Sequence, residues 1–188
     1  MMRNDFLEAR RVLDTFLADA ALLAEADDAA DLLASTLRRG NKILICGNGG
    51  SACDAAHFAE ELSGRYKADR KPLAALACTD VGHVTCVAND YGFEFVFSRW
   101  VEALAQPGDT LIVLSTSGQS PNILHAIDAA KDKGLATIAL LGKSGGPCTA
   151  HADHPLVFPG QTSDRIQELH MMVLHAFVAH IERALGLA

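Results

Sequence analysis

The chain has 188 residues, within the roughly 100–200 that one compact domain holds. At 49% apolar and 21% charged it has a globular balance, which excludes disordered and fibrous classes. Twenty-three acids against sixteen bases leave a formal charge of −7, opposite to the basic surface of a nucleic-acid binder.

No apolar run approaches the roughly 18 residues of a membrane span, and the opening MMRNDFLEARR places acids where a signal peptide is greasy. The expected location is the cytoplasm, with no nucleic-acid or membrane partner. The five cysteines, Cys46, Cys53, Cys78, Cys86 and Cys148, form no C-x-x-C pair and are odd in number, so they read as reduced apolar fillers. Any metal must then draw on His, Glu, Asp or Gln.

Residues 5–25 carry apolar side chains at Phe6, Ala9, Leu13, Phe16, Leu17, Ala20, Leu23 and Ala24, one stripe of a helix. A second helix is predicted from about Asp27 to Arg39, with Gly40 ending it. Lys42–Cys46 then reads as a buried strand. From there strand, Gly/Ser loop and helix alternate: strand 42–46, loop 47–51, helix to Gly64; strand 73–77; helix 93–104; strand 110–115, loop 116–120, helix to Lys133; strands 136–141 and 154–158; and a last helix over 163–185.

Apolar strands separated by helices imply an α/β fold, a three-layer α/β/α sandwich around a mainly parallel sheet. Ligands of such sheets bind outside the carboxyl ends of the strands, where both Gly/Ser loops fall. The reading is one domain over 1–188, with 1–40 a helical N-terminal extension used in oligomerisation. The last helix has two apolar stripes, Ile166, Leu169, Val173, Phe177 and Met171, Leu174, Val178, Ile181, Leu185. With the N-terminal helices it is predicted to bury surface against another subunit, in the oligomer interface; the alternative is a helix in the middle of its own domain.

The first loop, Gly47-Asn48-Gly49-Gly50-Ser51, joins a strand to a helix, so its backbone N–H groups can approach an anion or sugar hydroxyls. Gly47-x-Gly49-x-x-Ala52 also meets the loose dinucleotide fingerprint, with Asp80 as the ribose-binding acid. The second loop, Ser115-Thr116-Ser117-Gly118-Gln119-Ser120, sets four hydroxyls at a helix mouth that Pro121 starts. Simple N-capping needs only one of them. A dinucleotide fold needs no second cradle, so the pair of loops points to a phosphorylated sugar.

His57 and Glu61 lie four residues apart on one helix face, with Asp54 a turn earlier. Such a pair can share a divalent ion or set up a carboxylate base. In the last helix Asp164, Gln167 and His175 share a side, while His170 and His180 read as core histidines. Gln167 and His175 are eight residues apart, about 12 Å along the axis, and donors to one ion lie about 2 Å from it. A composite site is therefore predicted, with one subunit giving the Gln167 end and another helix giving His175, unless an unusual rotamer pair bridges the gap.

The segments GNGGSACDAAHFAEELSGRY, AND-YGF, STSGQS and SDRIQELHMMVLHAF together closely resemble the phosphoheptose isomerase family of the sugar isomerase (SIS) fold, over nearly the whole chain. The resemblance implies an aldose–ketose isomerase converting sedoheptulose 7-phosphate to D-glycero-D-manno-heptose 7-phosphate, the first step toward bacterial surface heptoses. It implies a homotetramer with sites shared between subunits, and one zinc per subunit at His57, Glu61, Gln167 and His175. Substrate contacts are implied at Asn48, Gly49, Gly50, Ser51, Glu61, Asn89, Asp90, Ser115, Thr116, Ser117, Ser120, Asp164 and Gln167. Ala52 departs from the histidine that relatives often carry there. Shifting a carbonyl between C1 and C2 needs a base and an acid, and these roles fall to Glu61 and His175. Two other readings stay open: a non-catalytic SIS-domain protein that binds a replication initiator or senses sugar phosphates, and a dinucleotide-dependent oxidoreductase.

Overall fold

The computed structural model describes residues 1–187. Its strands are β1 (Ile43–Gly47), β2 (Ala75–Ala77), β3 (Thr110–Ser115), β4 (Ala136–Gly142) and β5 (His154–Phe158). Its helices are α1 (Met2–Ala18), α2 (Ala20–Arg38), α3 (Gly50–Ser63), α4 (Val81–Asp90), α5 (Val96–Leu104), α6 (Pro121–Asp132), α7 (Cys148–His151) and α8 (Ser163–Ala184). A 3-10 turn, Phe93–Phe95, precedes α5.

The sheet order is β2-β1-β3-β4-β5, and every pairing is parallel. Side chains alternate between its faces. Ile43, Ile45, Ile112, Leu114, Ile138 and Leu140 join a core with α2, α3 and α8. Leu44, Cys46, Leu111, Val113, Ala139 and Leu141 join the other, with α5 and α6. The chain steps outward from β1 to β2 and then returns to β3 on the other side of β1, so the topological switch point lies between β1 and β3. The first loop leaves β1 and the second leaves β3, which sets the two side by side.

The strands and α3, α6 and α8 lie where the hydropathy pattern puts them, but two helical regions differ. The first helix breaks at Asp19, whose Oδ1 accepts from the Leu22 N–H at 3.0 Å and starts α2. The apolar stripe runs on across the break, which hides it. Helix α4 is absent from the sequence reading. It starts at Asp80, whose Oδ1 accepts from the His83 N–H at 2.6 Å, so the carboxylate assigned to a dinucleotide ribose is occupied as a helix cap.

Helix α8 is buried by its own chain: Ile166, Leu169, Val173, Leu174, Phe177, Val178 and Ile181 all join the core or lie fully covered. Its dryness is accounted for within the chain by packing between the sheet, α2 and α3. His180 is not a core residue; it pairs with Asp31 at 2.7 Å. His170 is one, fully buried, with Nε2 donating to the Leu141 carbonyl at 3.1 Å.

Burial lowers the His170 pKa to about 4, with the Leu141 carbonyl opposing the shift. The folded value lies below the unfolded one of about 6.5, so this group's effect on stability is absent above pH 6.5. Stability is lost as pH falls toward 4, at up to about 1.4 kcal/mol per unit. Comparing unfolding free energies across that window, the wild type is expected to lose about 2–3 kcal/mol more than His170→Asn, which keeps a donor for Leu141; equal losses would contradict the assignment. A second test concerns Gly118, at φ +63°, where an added Cβ would lie 1.8 Å from the Gly145 carbonyl oxygen. That contact is backbone on backbone and has no flexible end to yield. Gly118→Ala is expected to destabilise by about 3 kcal/mol or more in denaturant melts.

Candidate active site

Three helix N-termini gather at the switch point. Helix α3 opens from Gly49, α6 from Ser120 and α8 from Thr162, and none of the three is capped by a side chain. Their N–H groups and partial positive charge are available to an anion. The loops are bound together. Asn48 and Asn122 exchange reciprocal amide hydrogen bonds of 3.0 and 2.8 Å, and Thr116 Oγ1 lies 3.1 Å from Ser163 Oγ.

The four hydroxyls of the second loop divide their work. Ser115 Oγ accepts from the Gly118 N–H at 3.0 Å and Ser117 Oγ from the Gln119 N–H at 3.3 Å, shaping the turn. Thr116 faces α8, and Ser120 makes no cap bond to its own helix. Asp164 stands exposed in the first turn of α8. Its carboxyl is held below the usual range chiefly by the Thr162 hydroxyl, then by the Arg165 N–H and charge.

Gln167 reaches the mouth of α3. Its Nε2 lies 3.4 Å from the buried Ser51 Oγ. A Cβ on Gly50 would sit 2.8 Å from that same nitrogen, so glycine there lets the amide approach the loop backbone.

Helices α3 and α8 run side by side in the same direction, Ser51 meeting Gln167 at one height and Glu61 meeting His175 further down. Glu61 Oε1 lies 3.1 Å from His57 Nε2 and 3.7 Å from His175 Nε2. One donor atom from each of the three falls within 4.8 Å of the others. Two donors held tetrahedrally about 2 Å from a zinc ion stand about 3.4 Å apart, close to both measured separations. Glu61 Oε2 is buried with no hydrogen-bond partner, as is usual for an oxygen that waits for a cation or a proton. The donor set of two imidazoles and a carboxylate fits zinc, and three protein ligands leave a position open.

Three of the four expected ligands come together within one chain, and Gln167 does not join them. A single chain supplies His57, Glu61 and His175, while Gln167 is engaged with Ser51, six residues before His57 on α3. The 12 Å between Gln167 and His175 is met by spreading the groups along two parallel helices rather than by recruiting His175 from a second chain. Asn89 and Asp90 are not brought to the loops. They lie exposed at the end of α4, with Asn89 Nδ2 donating to Asp90 Oδ1 at 2.7 Å.

Other groups at the site carried no signal in the spacing. Tyr66 stacks on His175 with centroids 5.8 Å apart and planes at 24°, and His57 meets His175 edge-on at 5.2 Å. Asn122, 2% exposed, is the one such residue with a local cue, a polar side chain just after Pro121 in a helix opening between apolar neighbours. Asp54 Oδ2 is buried and unpartnered, and burial raises its carboxyl above the usual range, with His57 opposing. An apolar cavity of about 360 Å³ opens beside the first loop, lined by Asn48, Cys53, Cys78, Val81, Phe93 and other residues. Burial pushes the Cys78 thiol up to about 12, so it stays protonated and is no nucleophile.

The chain is similar to known proteins in both sequence and fold. Residues 6–142 match the SIS domain family model. The phosphoheptose isomerase of Fusobacterium nucleatum is 49% identical over 172 residues, covering 92% of this chain and 89% of that one. Among solved structures, phosphoheptose isomerase from Neisseria gonorrhoeae superposes with a TM-score of 0.90 at 40% identity, covering 97% of each chain. The enzyme from Francisella tularensis gives 0.92 at 35%, covering 97% of this chain and 96% of that one. Alike in sequence and fold to these relatives over nearly its whole length, the chain belongs to the phosphoheptose isomerase family of SIS-domain proteins.

Proposed function

We propose that this chain interconverts sedoheptulose 7-phosphate and D-glycero-D-manno-heptose 7-phosphate by enediol proton transfer, the first step toward bacterial heptoses. The observation that carries the mechanism is the approach of Glu61 to His175 at 3.7 Å, on the two helices whose N-termini flank the phosphate-type loops. Ser51 and Glu61 are ten residues apart, a rise of about 15 Å along α3, shortened because helical side chains lean toward the N-terminus. An acyclic sugar phosphate lies along this line.

The phosphate is held by backbone N–H groups at the mouths of α3, α6 and α8 and by the hydroxyls of Thr116, Ser117 and Ser120. Asn48, Gly49, Gly50, Ser51 and Gln167 position the sugar. Glu61 takes a proton from C1 of the ketose while His175 gives one to the C2 oxygen, forming the enediol. His175 then takes the proton from the C1 oxygen, and Glu61 returns the carbon-bound proton to C2. Protons balance over the cycle, and each group ends in its starting state. Asp164 in this reading orders the α8 mouth through Thr162 and faces sugar hydroxyls rather than phosphate.

Zinc is proposed at His57, Glu61 and His175, with Gln167 assigned to the sugar; with His175 Nε2 a ligand, the proton transfers through His175 belong to the metal-free chain, and the ion would supply Lewis-acid polarisation of the substrate oxygens in place of that acid. Glu61 keeps both roles because a turn of its carboxyl group exchanges Oε1, which faces the imidazoles, with the unpartnered Oε2.

We further propose a homotetramer in the cytoplasm. Exposed Phe6, Leu7 and Leu17 on α1, and Tyr91, Phe93 and Phe95 after α4, form apolar patches of the kind that oligomers cover. Asn89 and Asp90 adjoin the second patch, which offers a way for one subunit to complete the sugar site of another. The cytoplasmic reading is supported by five free cysteines and by the lack, among the described residues, of a helix long and apolar enough to cross a membrane.

Turnover of sedoheptulose 7-phosphate, followed by the aldose anomeric NMR signal, tests the reaction. Glu61→Gln and His175→Gln are each expected to cut kcat by about 100-fold or more while the chain stays folded. Unchanged turnover in either would reject the role given to it. Zinc titrated into chelator-treated protein in a calorimeter is expected to bind once per chain, and His57→Asn to weaken that binding about tenfold or more; identical isotherms would contradict the metal assignment.

A further inference from the structure

Arg70 lies in the segment between α3 and β2 and takes no part in the proton transfers. Its side chain is 2% exposed, and its partner Glu182 is 4% exposed. The guanidinium bonds in several directions at once. Nη2 donates to the Glu61 carbonyl at 2.6 Å. Nη1 donates to the carbonyls of Leu62 at 2.7 Å, Gly64 at 3.2 Å and Lys71 at 3.3 Å. Nε donates to Glu182 Oε1 at 2.9 Å.

Glu61 and Leu62 sit in the last turn of α3, where carbonyls lack partners within the helix. Glu182 is on α8, seven residues after His175 and so two turns along the same face. The two helices are thus tied at successive heights, once by Glu61 against His175 and once, just beyond, by Arg70 between the end of α3 and Glu182. The same arginine fixes the segment that carries Tyr66, the ring stacked on His175.

A buried ion pair contributes little stability beyond that of apolar residues of the same shape, so stability alone does not explain this one. A planar fork bonded to a chosen backbone carbonyl does define a position. We propose that Arg70, anchored by Glu182, is a positioning residue for the isomerisation, holding the Glu61 end of α3 at its working distance from His175. This rests on the reading of Glu61 and His175 as the reacting pair.

The test measures thermal unfolding, kcat and KM for sedoheptulose 7-phosphate in the full chain with Arg70→Lys, Glu182→Leu and Glu182→Gln. Lysine keeps the charge but loses the fork, and leucine leaves Arg70 on α3 with no anchor on α8. Both are expected to lower kcat by about 10- to 100-fold, since a shift of about 1 Å at reacting groups has effects of that size. KM should change less than about threefold, because the phosphate loops lie at the other end of α3. Glu182→Gln keeps an acceptor for Nε and is expected to retain kcat within about threefold, so rescue follows geometry rather than charge.

A folded Arg70→Lys or Glu182→Leu chain with wild-type kcat overturns the proposal. So does a uniform loss of active protein with kcat per folded chain preserved, which is the mark of a purely structural pair. If one variant fails to fold, the other still decides. A wild-type chain that does not turn over the sugar phosphate would instead refute the functional reading itself.

Discussion

The parallel packing of α3 against α8 is the constraint on which the site depends. Ala55, Phe58, Ala59 and Leu62 bury one face of α3, and Leu169, Val173, Phe177 and Ile181 answer from the core side of α8. That apolar contact leaves His57 and Glu61 on one shoulder of the seam and His175 on the other. Because both helices start at the carboxyl edge of the sheet, the contact that builds the acid–base pair also aims two helix N-termini at the anion end. In the proposed mechanism, proton transfer and phosphate binding are thus two ends of one seam.

Electrostatics differ sharply between the ends. The phosphate end uses uncharged donors, hydroxyls and backbone N–H groups supported by helix dipoles, which suits a protein of net charge −7 that must still attract a dianion. The other end concentrates a carboxylate and two imidazoles with little to neutralise Glu61 Oε2. In the proposed mechanism a neutral cradle holds the substrate's charge away from the group that gains and loses a proton, so binding and chemistry do not compete for the same residues.

Much of this was legible in the sequence, for physical reasons. Continuous apolar runs such as Leu111–Leu114 can only be buried strands in an alternating pattern, and glycine and serine at their carboxyl ends mark the loops. The i, i+4 spacing of His57 and Glu61 settled their shared face. What stayed hidden depends on side chains from distant segments: Asn122 on Asn48, Tyr66 on His175, and Arg70 on Glu182 leave no periodic trace. The short helix α4 was missed because half of its residues, Val81, Gly82, Val84, Thr85 and Val87, are weak helix formers, and the break at Asp19 because the apolar stripe runs on across it. Gln167 and His175 do not meet at one point, as their eight-residue spacing on α8 implies; within the chain they face α3 at two heights, at Ser51 and at Glu61.

The central claim is that the working Glu61 and His175 belong to the same chain, and co-expression of two inactive variants tests it most directly. Chains bearing Glu61→Gln are assembled with chains bearing His175→Gln, the mixed oligomer is isolated with two affinity tags, and turnover is measured. With both groups contributed in cis, every site in the hybrid lacks one partner and activity stays at the level of the separate variants. Recovery of a substantial fraction of wild-type turnover would mean that the two groups meet across a subunit boundary, and would contradict the account.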